Sequence, residues 1–146
     1  MKVERALRMS LSRNSTSLPR DTKVLFIGLH PSALDYSRLP DELDEAALAA
    51  RIEAGNDAAR EAGVDGVVWL IDDTSPDRAE ATVRQHLQEH TFGLAMLGGG
   101  VRMLPEYTLL FERLVNALTE AAPEIRLCFN TTPENTVDAL RRWIQA

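Results

Sequence analysis

The apolar positions of this chain follow two alternating rhythms. Thr22-Lys23-Val24-Leu25-Phe26-Ile27 is a continuous β-branched and aromatic run closed by Gly28, the pattern of a strand buried on both faces. Gly66 to Ile71, Gly93-Leu94-Ala95-Met96-Leu97 and Ile125 to Phe129 predict three more strands of the same kind. Between them the apolar spacing changes to three and four. Leu48, Ile52, Gly55, Ala59 and Ala62 share one helical face behind Asp41 or Asp44 as cap, and Gly63 supplies a left-handed end. Gly55 on that face costs helix propensity, which predicts a close approach of helix to sheet. Ala79, Val83 and Leu87 line a second helix that enters at Ser75-Pro76 and runs to about His90. Leu110, Phe111, Leu114, Val115 and Leu118 make the broad stripe of a third, opened by Pro105 and stopped by Pro123. Val137, Leu140 and Ile144 align on a last helix capped by Asn130-Thr131-Thr132-Pro133-Glu134.

Four apolar strands alternating with four helices predict an α/β fold with a parallel sheet and right-handed crossovers. The simplest winding is a three-layer, doubly wound, four-stranded sheet of order 2-1-3-4, a flavodoxin-like or Rossmann-like arrangement. The first and third strands are then central neighbours, and the strand order reverses between them. Right-handed crossovers leave half of one face without a helix, so either the last helix folds back over it or a second chain does. The fourth strand is an edge without proline or inward charge, and a homodimer is expected on both grounds.

Residues 1 to 20 form a separate basic arm, ahead of a single α/β domain over 21 to 146. Val3, Leu7 and Leu11 are spaced as on one helix face, and the alternative is a flexible arm. The arm carries Lys2, Arg5, Arg8, Arg13 and Arg20 against Glu4, a surplus of four that leaves the body near −10 within an overall −6. An acidic body argues against nucleic acid as partner, because that affinity comes mainly from neutralising phosphates with Lys and Arg.

A length of 146 residues, 45% of them apolar, suffices for one core without disulfides. Cys128, the sole cysteine, sits in a strand pattern as a small buried hydrophobe and fits a reducing compartment. No apolar run is long enough to cross a bilayer and no secretory core follows Met1, so a soluble cytoplasmic protein with no membrane partner is expected.

Candidate chemistry centres on Gly98-Gly99-Gly100-Val101-Arg102. A buried strand that ends in consecutive glycines and feeds a helix brings backbone N–H groups and a helix N-terminus together, an arrangement suited to anions. In open α/β sheets ligands lie beyond the carboxyl ends of the strands at the reversal point. Here that crevice is walled by Gly28-Leu29-His30-Pro31-Ser32 and by Gly98 to Arg102. Arg102 offers a fork for phosphate or carboxylate, Ser32 a hydroxyl and His30 a group that titrates near neutrality. The expected ligand-binding set is Gly28, Ser32, Gly98, Gly99, Gly100, Arg102 and Asn130. Were a reaction catalysed, His30 is the candidate acid or base. The plainer alternative is that the glycines only make a tight turn and Arg102 is solvated.

Other chemistries fit poorly, and neither a cofactor nor a metal is expected. Gly98-Gly99-Gly100-Val101-Arg102-Met103 lacks the third glycine of the dinucleotide fingerprint, and the next strand ends in Asn130 where an acid should hold a ribose. No GK[ST] phosphate loop occurs, and the third strand ends in glycine where a phospho-receiver has its aspartate. Asp72-Asp73 suits the dipole of the following helix as well as it suits a divalent cation. His86-Leu87-Gln88-Glu89-His90 matches the H-x-x-E-H pattern of inverted zinc peptidases, but at a helix C-terminus and without a third ligand.

Val24-Leu25-Phe26-Ile27-Gly28-Leu29-His30-Pro31, Gly99-Gly100-Val101-Arg102 with Pro105, Leu110-Phe111-Glu112, Val115-Asn116, Cys128-Phe129-Asn130-Thr131 and Pro133-Glu134 together resemble a small bacterial family of uncharacterised α/β proteins. The likeness spans about residues 24 to 143 and implies a stand-alone bacterial cytosolic protein, with no activity to carry over. Two functions are expected from the whole. The first is binding of a small anionic metabolite, phosphorylated ones included, at the carboxyl ends of the first and third strands. The second is a non-catalytic homodimeric interaction module whose glycine loops are structural.

Overall fold

The structure, a computed structural model, describes residues 18–145. The amphipathic arm expected over residues 1 to 20 lies outside it except for Leu18 to Arg20. Four strands, β1 (Lys23–Leu29), β2 (Asp65–Ile71), β3 (Leu94–Leu97) and β4 (Arg126–Phe129), form one sheet of order β2-β1-β3-β4. All three pairings are parallel, so the chain has the flavodoxin-like, Rossmann-like winding that its apolar runs predict. The helices are α1 (Glu45–Glu61), α2 (Pro76–Glu89), α3 (Gly99–Met103), α4 (Thr108–Ala121) and α5 (Thr136–Arg141). Among the described residues none is long and apolar enough to cross a membrane.

Because successive strand residues point to opposite faces, each continuous apolar run feeds two cores. Leu25, Ile27, Leu29 and Ile71 pack with Val83 of α2 and with Leu110, Leu114 and Leu118 of α4. Val24, Phe26, Leu94, Met96 and Cys128 pack on the other face with Ala59 of α1 and with Ala139, Leu140 and Ile144. The last helix therefore folds back beside α1, and the half-face that simple winding leaves bare is covered from within the chain. Leu18 completes this layer: it bridges Ile144 in parallel and exchanges backbone bonds with Trp143 and Gln145, so the folded unit reaches back to Leu18.

The edge of β4 is also partly occupied. Arg126 donates its amide to Gly93 of the segment leading into β3, so in the parallel ladder the amide and carbonyl of Phe129 face outward. Arg142 donates to that carbonyl at 2.8 Å.

Local chemistry explains the helix ends. Asp44, not Asp41, caps α1 by accepting from the amide of Ala47, and Gly63 closes it at φ +88°. Thr131 and Thr132 donate their amides to the side chain of Asn135 at the start of the last helical segment. Ser75 precedes α2 without a side-chain cap; Asp73 accepts from the Ser75 amide and pairs with Arg78 instead. Ala62, expected on the inner face of α1, is exposed: it lies one residue past the end of the helix, as its C-cap, whereas Ala59 in the last turn is buried.

One boundary differs from expectation in a way that matters for the site. The helix expected to open at Pro105 begins inside the glycine triplet as α3, with Gly98 as its cap. Proline disfavours helical backbone in the residue before it. Leu104 is accordingly extended at φ −95°, ψ 121°, which ends α3 at Met103, and the chain re-enters helix through a short turn at Pro105–Tyr107. Among the described glycines only Gly63 has positive φ, so the triplet is not a left-handed turn.

Candidate functional site

The tips of β1 and β3 lie side by side. Gly98 donates its amide to the Ile27 carbonyl at 2.8 Å, and a Cβ on Gly98 would stand 3.6 Å from the Cα of Gly28. Glycine at 99 admits a second close approach, since a Cβ there would lie 3.1 Å from the Thr131 carbonyl oxygen. Above these tips the chain from residue 30 to residue 44 arches over as a loop of two short turns. Two tyrosines fasten it: Tyr36 donates its hydroxyl to the Pro31 carbonyl, and Tyr107 donates to that of Ala33, each at 2.6 Å. Leu34, Leu39 and Leu43 hang from this loop.

Under the loop and the first half of α1 lies a cavity of about 330 Å³. Its floor is Phe26, Gly28, Met96 and Gly98 to Gly100; its walls include Leu48, Ile52, Leu70, Met103 and Leu104. Leu48 and Ile52 are only half-buried because they face this space rather than packed side chains. The cavity reflects how α1 is seated. Near its C-terminal end Gly55 is pressed so closely on the Pro133 carbonyl oxygen that a Cβ there would collide, and Ala59 joins the core. The N-terminal half is held off the sheet. Val68 of β2, beneath that gap, is 44% exposed.

Of the residues expected to bind a ligand, Gly28, Gly98, Gly99, Gly100 and Asn130 line this one cavity. Asn130 is buried and fully engaged: its Oδ1 accepts from the Gly99 amide at 3.1 Å, and its Nδ2 donates to Thr136 Oγ1 at 3.1 Å. It ties the start of α3 to the start of α5, and it uses an amide that was expected to face an anion. The amides of Gly98 and Gly99 thus both have partners within the protein.

Arg102, His30 and Ser32 do not line the cavity, and the single hollow expected to unite them with the glycines is divided. Arg102 sits one helical turn past Gly98 and turns toward β4, where its Nη2 donates to the Asn130 carbonyl at 3.2 Å. Its guanidinium lies 5.4 Å from the centroid of the Phe129 ring, within cation–π reach. His30 donates its amide to the Ile71 carbonyl, and its Nδ1 accepts from the Ser32 amide at 3.1 Å, with the Ser32 hydroxyl 2.7 Å from the same nitrogen. The imidazole thereby caps the Pro31–Ala33 turn. It borders an open trough of about 720 Å³ between α1 and β2, lined also by Glu45, Glu53, Asp57 and Arg60, which shares Ile52, Asn56, Val68 and Leu70 with the cavity.

Sequence reasoning missed Arg51. It is the one charged residue in the lining of the 330 Å³ cavity, and no aspartate or glutamate joins it there. Its Nε donates to Glu134 Oε2 at 2.9 Å while Nη2 reaches Oε1, a side-on, two-point ion pair between α1 and the β4–α5 loop. Glu134 is held below its ordinary carboxyl range mainly by that bond, and Arg51 is correspondingly pushed up. The signal lay in the stripe itself, where Arg51 interrupts the face made by Leu48, Ile52 and Gly55.

Comparison with known proteins adds no assignment. No family model, no curated protein and no solved structure matches this chain.

The other candidate groups are occupied locally. Asp72 accepts from the Asp73 amide, and Asp73 holds Ser75 and Arg78. His86 lies against the Trp69 ring at 5.4 Å, whereas His90 contacts Lys23 Nζ and Phe92, so the two imidazoles face different neighbours. Cys128 is buried, and that burial pushes its thiol up to about 12. It is a core side chain without thiolate chemistry near neutral pH.

Proposed function

We propose that this protein binds a small anionic molecule with an apolar body in the cavity at the carboxyl ends of β1 and β3. One observation carries the reading: about 330 Å³ of space, walled mainly by leucine, isoleucine, methionine and phenylalanine, holds a single charged side chain, and that charge is positive. The volume falls at the lower end of the range of small-ligand pockets, which combine mostly apolar walls with a few placed polar groups. Its position at the reversal between β1 and β3 is where open α/β sheets hold ligands. In a chain of net charge −6, a lining free of carboxylates favours an anion over a cation.

Within this reading the glycines have a spatial role. They bring β1, α3 and the β4–α5 loop close together and leave the floor without side chains. Asn130 braces that floor. Binding, without a reaction, is the function proposed, since His30 is committed to its own turn and borders a different surface.

The test is to fill the cavity. An anionic aromatic dye such as anilinonaphthalene sulfonate should bind the native chain saturably with enhanced fluorescence. In Ile52→Trp the indole should occupy the same space and weaken binding about tenfold or more, with the fold intact by circular dichroism. Native protein that leaves the dye dark, or a filled variant that binds it equally well, would overturn the proposal.

A further inference from the structure

The cavity's one cation already holds an anion of a defined shape. Glu134 meets Arg51 with both carboxylate oxygens, one on Nε and one on Nη2, in the planar two-point geometry that guanidinium and carboxylate share. Neither partner is buried by this contact: the Arg51 side chain is 40% exposed and that of Glu134 57%. Exposed ion pairs are worth little, so exchange of Glu134 for another carboxylate costs little. Arg51 meanwhile lines the cavity and Glu134 does not. Thr131 and Thr132, on the same loop as Glu134, add hydroxyl-bearing residues to the lining at this end.

We infer that the ligand is an apolar monocarboxylate, a short fatty or aryl acid, and that Arg51 is its anion receptor, with Glu134 as the internal carboxylate it displaces. The inference rests on the cavity reading above and names the ligand class for it. A dianionic phosphate is a poorer match, because one guanidinium neutralises only half of it and no second cation lines the space. The hydrocarbon would lie over Met96 and Ile52, where no polar partner is needed. The displaced Glu134 carboxylate remains at the exposed mouth, solvated by water.

The experiment compares octanoate, octanol and octyl phosphate by titration calorimetry on the full chain. Octanoate should bind more tightly than octanol, and more tightly than octyl phosphate. Two substitutions then act in opposite directions. Arg51→Gln should weaken octanoate about threefold and leave octanol unchanged, whereas Glu134→Gln, by freeing the receptor, should tighten octanoate about threefold. A merely structural ion pair would move both variants the same way. Equal affinity for octanoate and octanol, insensitive to either substitution, would overturn the receptor role while leaving the cavity reading intact. Tighter binding of octyl phosphate would overturn the carboxylate class. Absence of binding by all three would remove the cavity reading and this inference together.

Discussion

Gly55 shows how one missing methyl group can place a helix. In the interior of an exposed helix, glycine to alanine stabilises by about 1 kcal/mol. Here an added Cβ would be driven into the Pro133 carbonyl oxygen, a backbone atom that cannot turn aside, with Thr136 Oγ1 only 3.2 Å away. Gly55→Ala is therefore expected to lower stability by about 1 to 3 kcal/mol, the usual cost of overpacking, read as a drop in the urea midpoint at unchanged slope. A raised midpoint would show that α1 is free to lift from the β4–α5 loop. The approach expected at Gly55 was to the sheet and the one observed is to the Pro133 carbonyl ahead of α5; the residue itself was legible in the sequence, because a glycine on the apolar face of a helix sacrifices helix propensity and so signals a tight contact. Arg51 was not. A charge inside an apolar stripe reads as a solvated side chain until the fold shows a cavity beneath it. The placement of Arg102 was not legible for the converse reason: a guanidinium beside glycines suggests an anion site, and one turn of α3 aims it at the Phe129 ring and the Asn130 carbonyl.

At the scale of elements, strands were the most legible, since continuous apolar runs admit few alternatives and each run matches a strand within two residues at either end. Helix starts were less so. The glycines were expected as a loop ahead of a helix opening at Pro105, yet Gly99 and Gly100 are helical, and the steric effect of Pro105 on Leu104 ends α3 before the Pro105–Tyr107 turn leads into α4. Over the apolar core, arginine–carboxylate pairs link helix to helix at the surface. Arg113 of α4 pairs with both Glu80 and Asp77 of α2, and Arg51 of α1 pairs with Glu134. Hydrogen bonds from these arginines hold Glu80 and Glu134 below their ordinary value of 4.5. A lowered folded value means stability that is complete above the unfolded value and lost as pH falls through the folded one. The melting temperature is thus expected to stay level from about pH 7 to about pH 5 and to fall below about pH 4.5, with a shallower fall in Glu80→Gln. A decline that begins above about pH 6 would contradict this account, because it lies above the range in which these carboxylates take up protons.

At the scale of the molecule, one face of the sheet is closely packed and the other holds a cavity. On one side of the sheet α2 and α4 form a closed layer over a continuous core. On the other, α5 packs on β4 with the C-terminal half of α1 beside it, and the N-terminal half of α1 roofs the cavity with the loop from residue 30 to 44. The winding, and hence the location of a crevice at the strand reversal, followed from the sequence. The division of that crevice into an apolar chamber and an outer trough did not, because it depends on how far one helix stands from the sheet.

The chamber can be tested directly by following the backbone amide resonances of the isotope-labelled chain as octanoate is added. Saturable shifts are expected at Gly28, at Gly98 to Gly100 and at Asn130 to Thr132, with the Gly63 and His86 amides still. Shifts confined to His30, Glu53 and Asp57 would place any ligand in the outer trough, and a spectrum that does not move would contradict a binding chamber altogether.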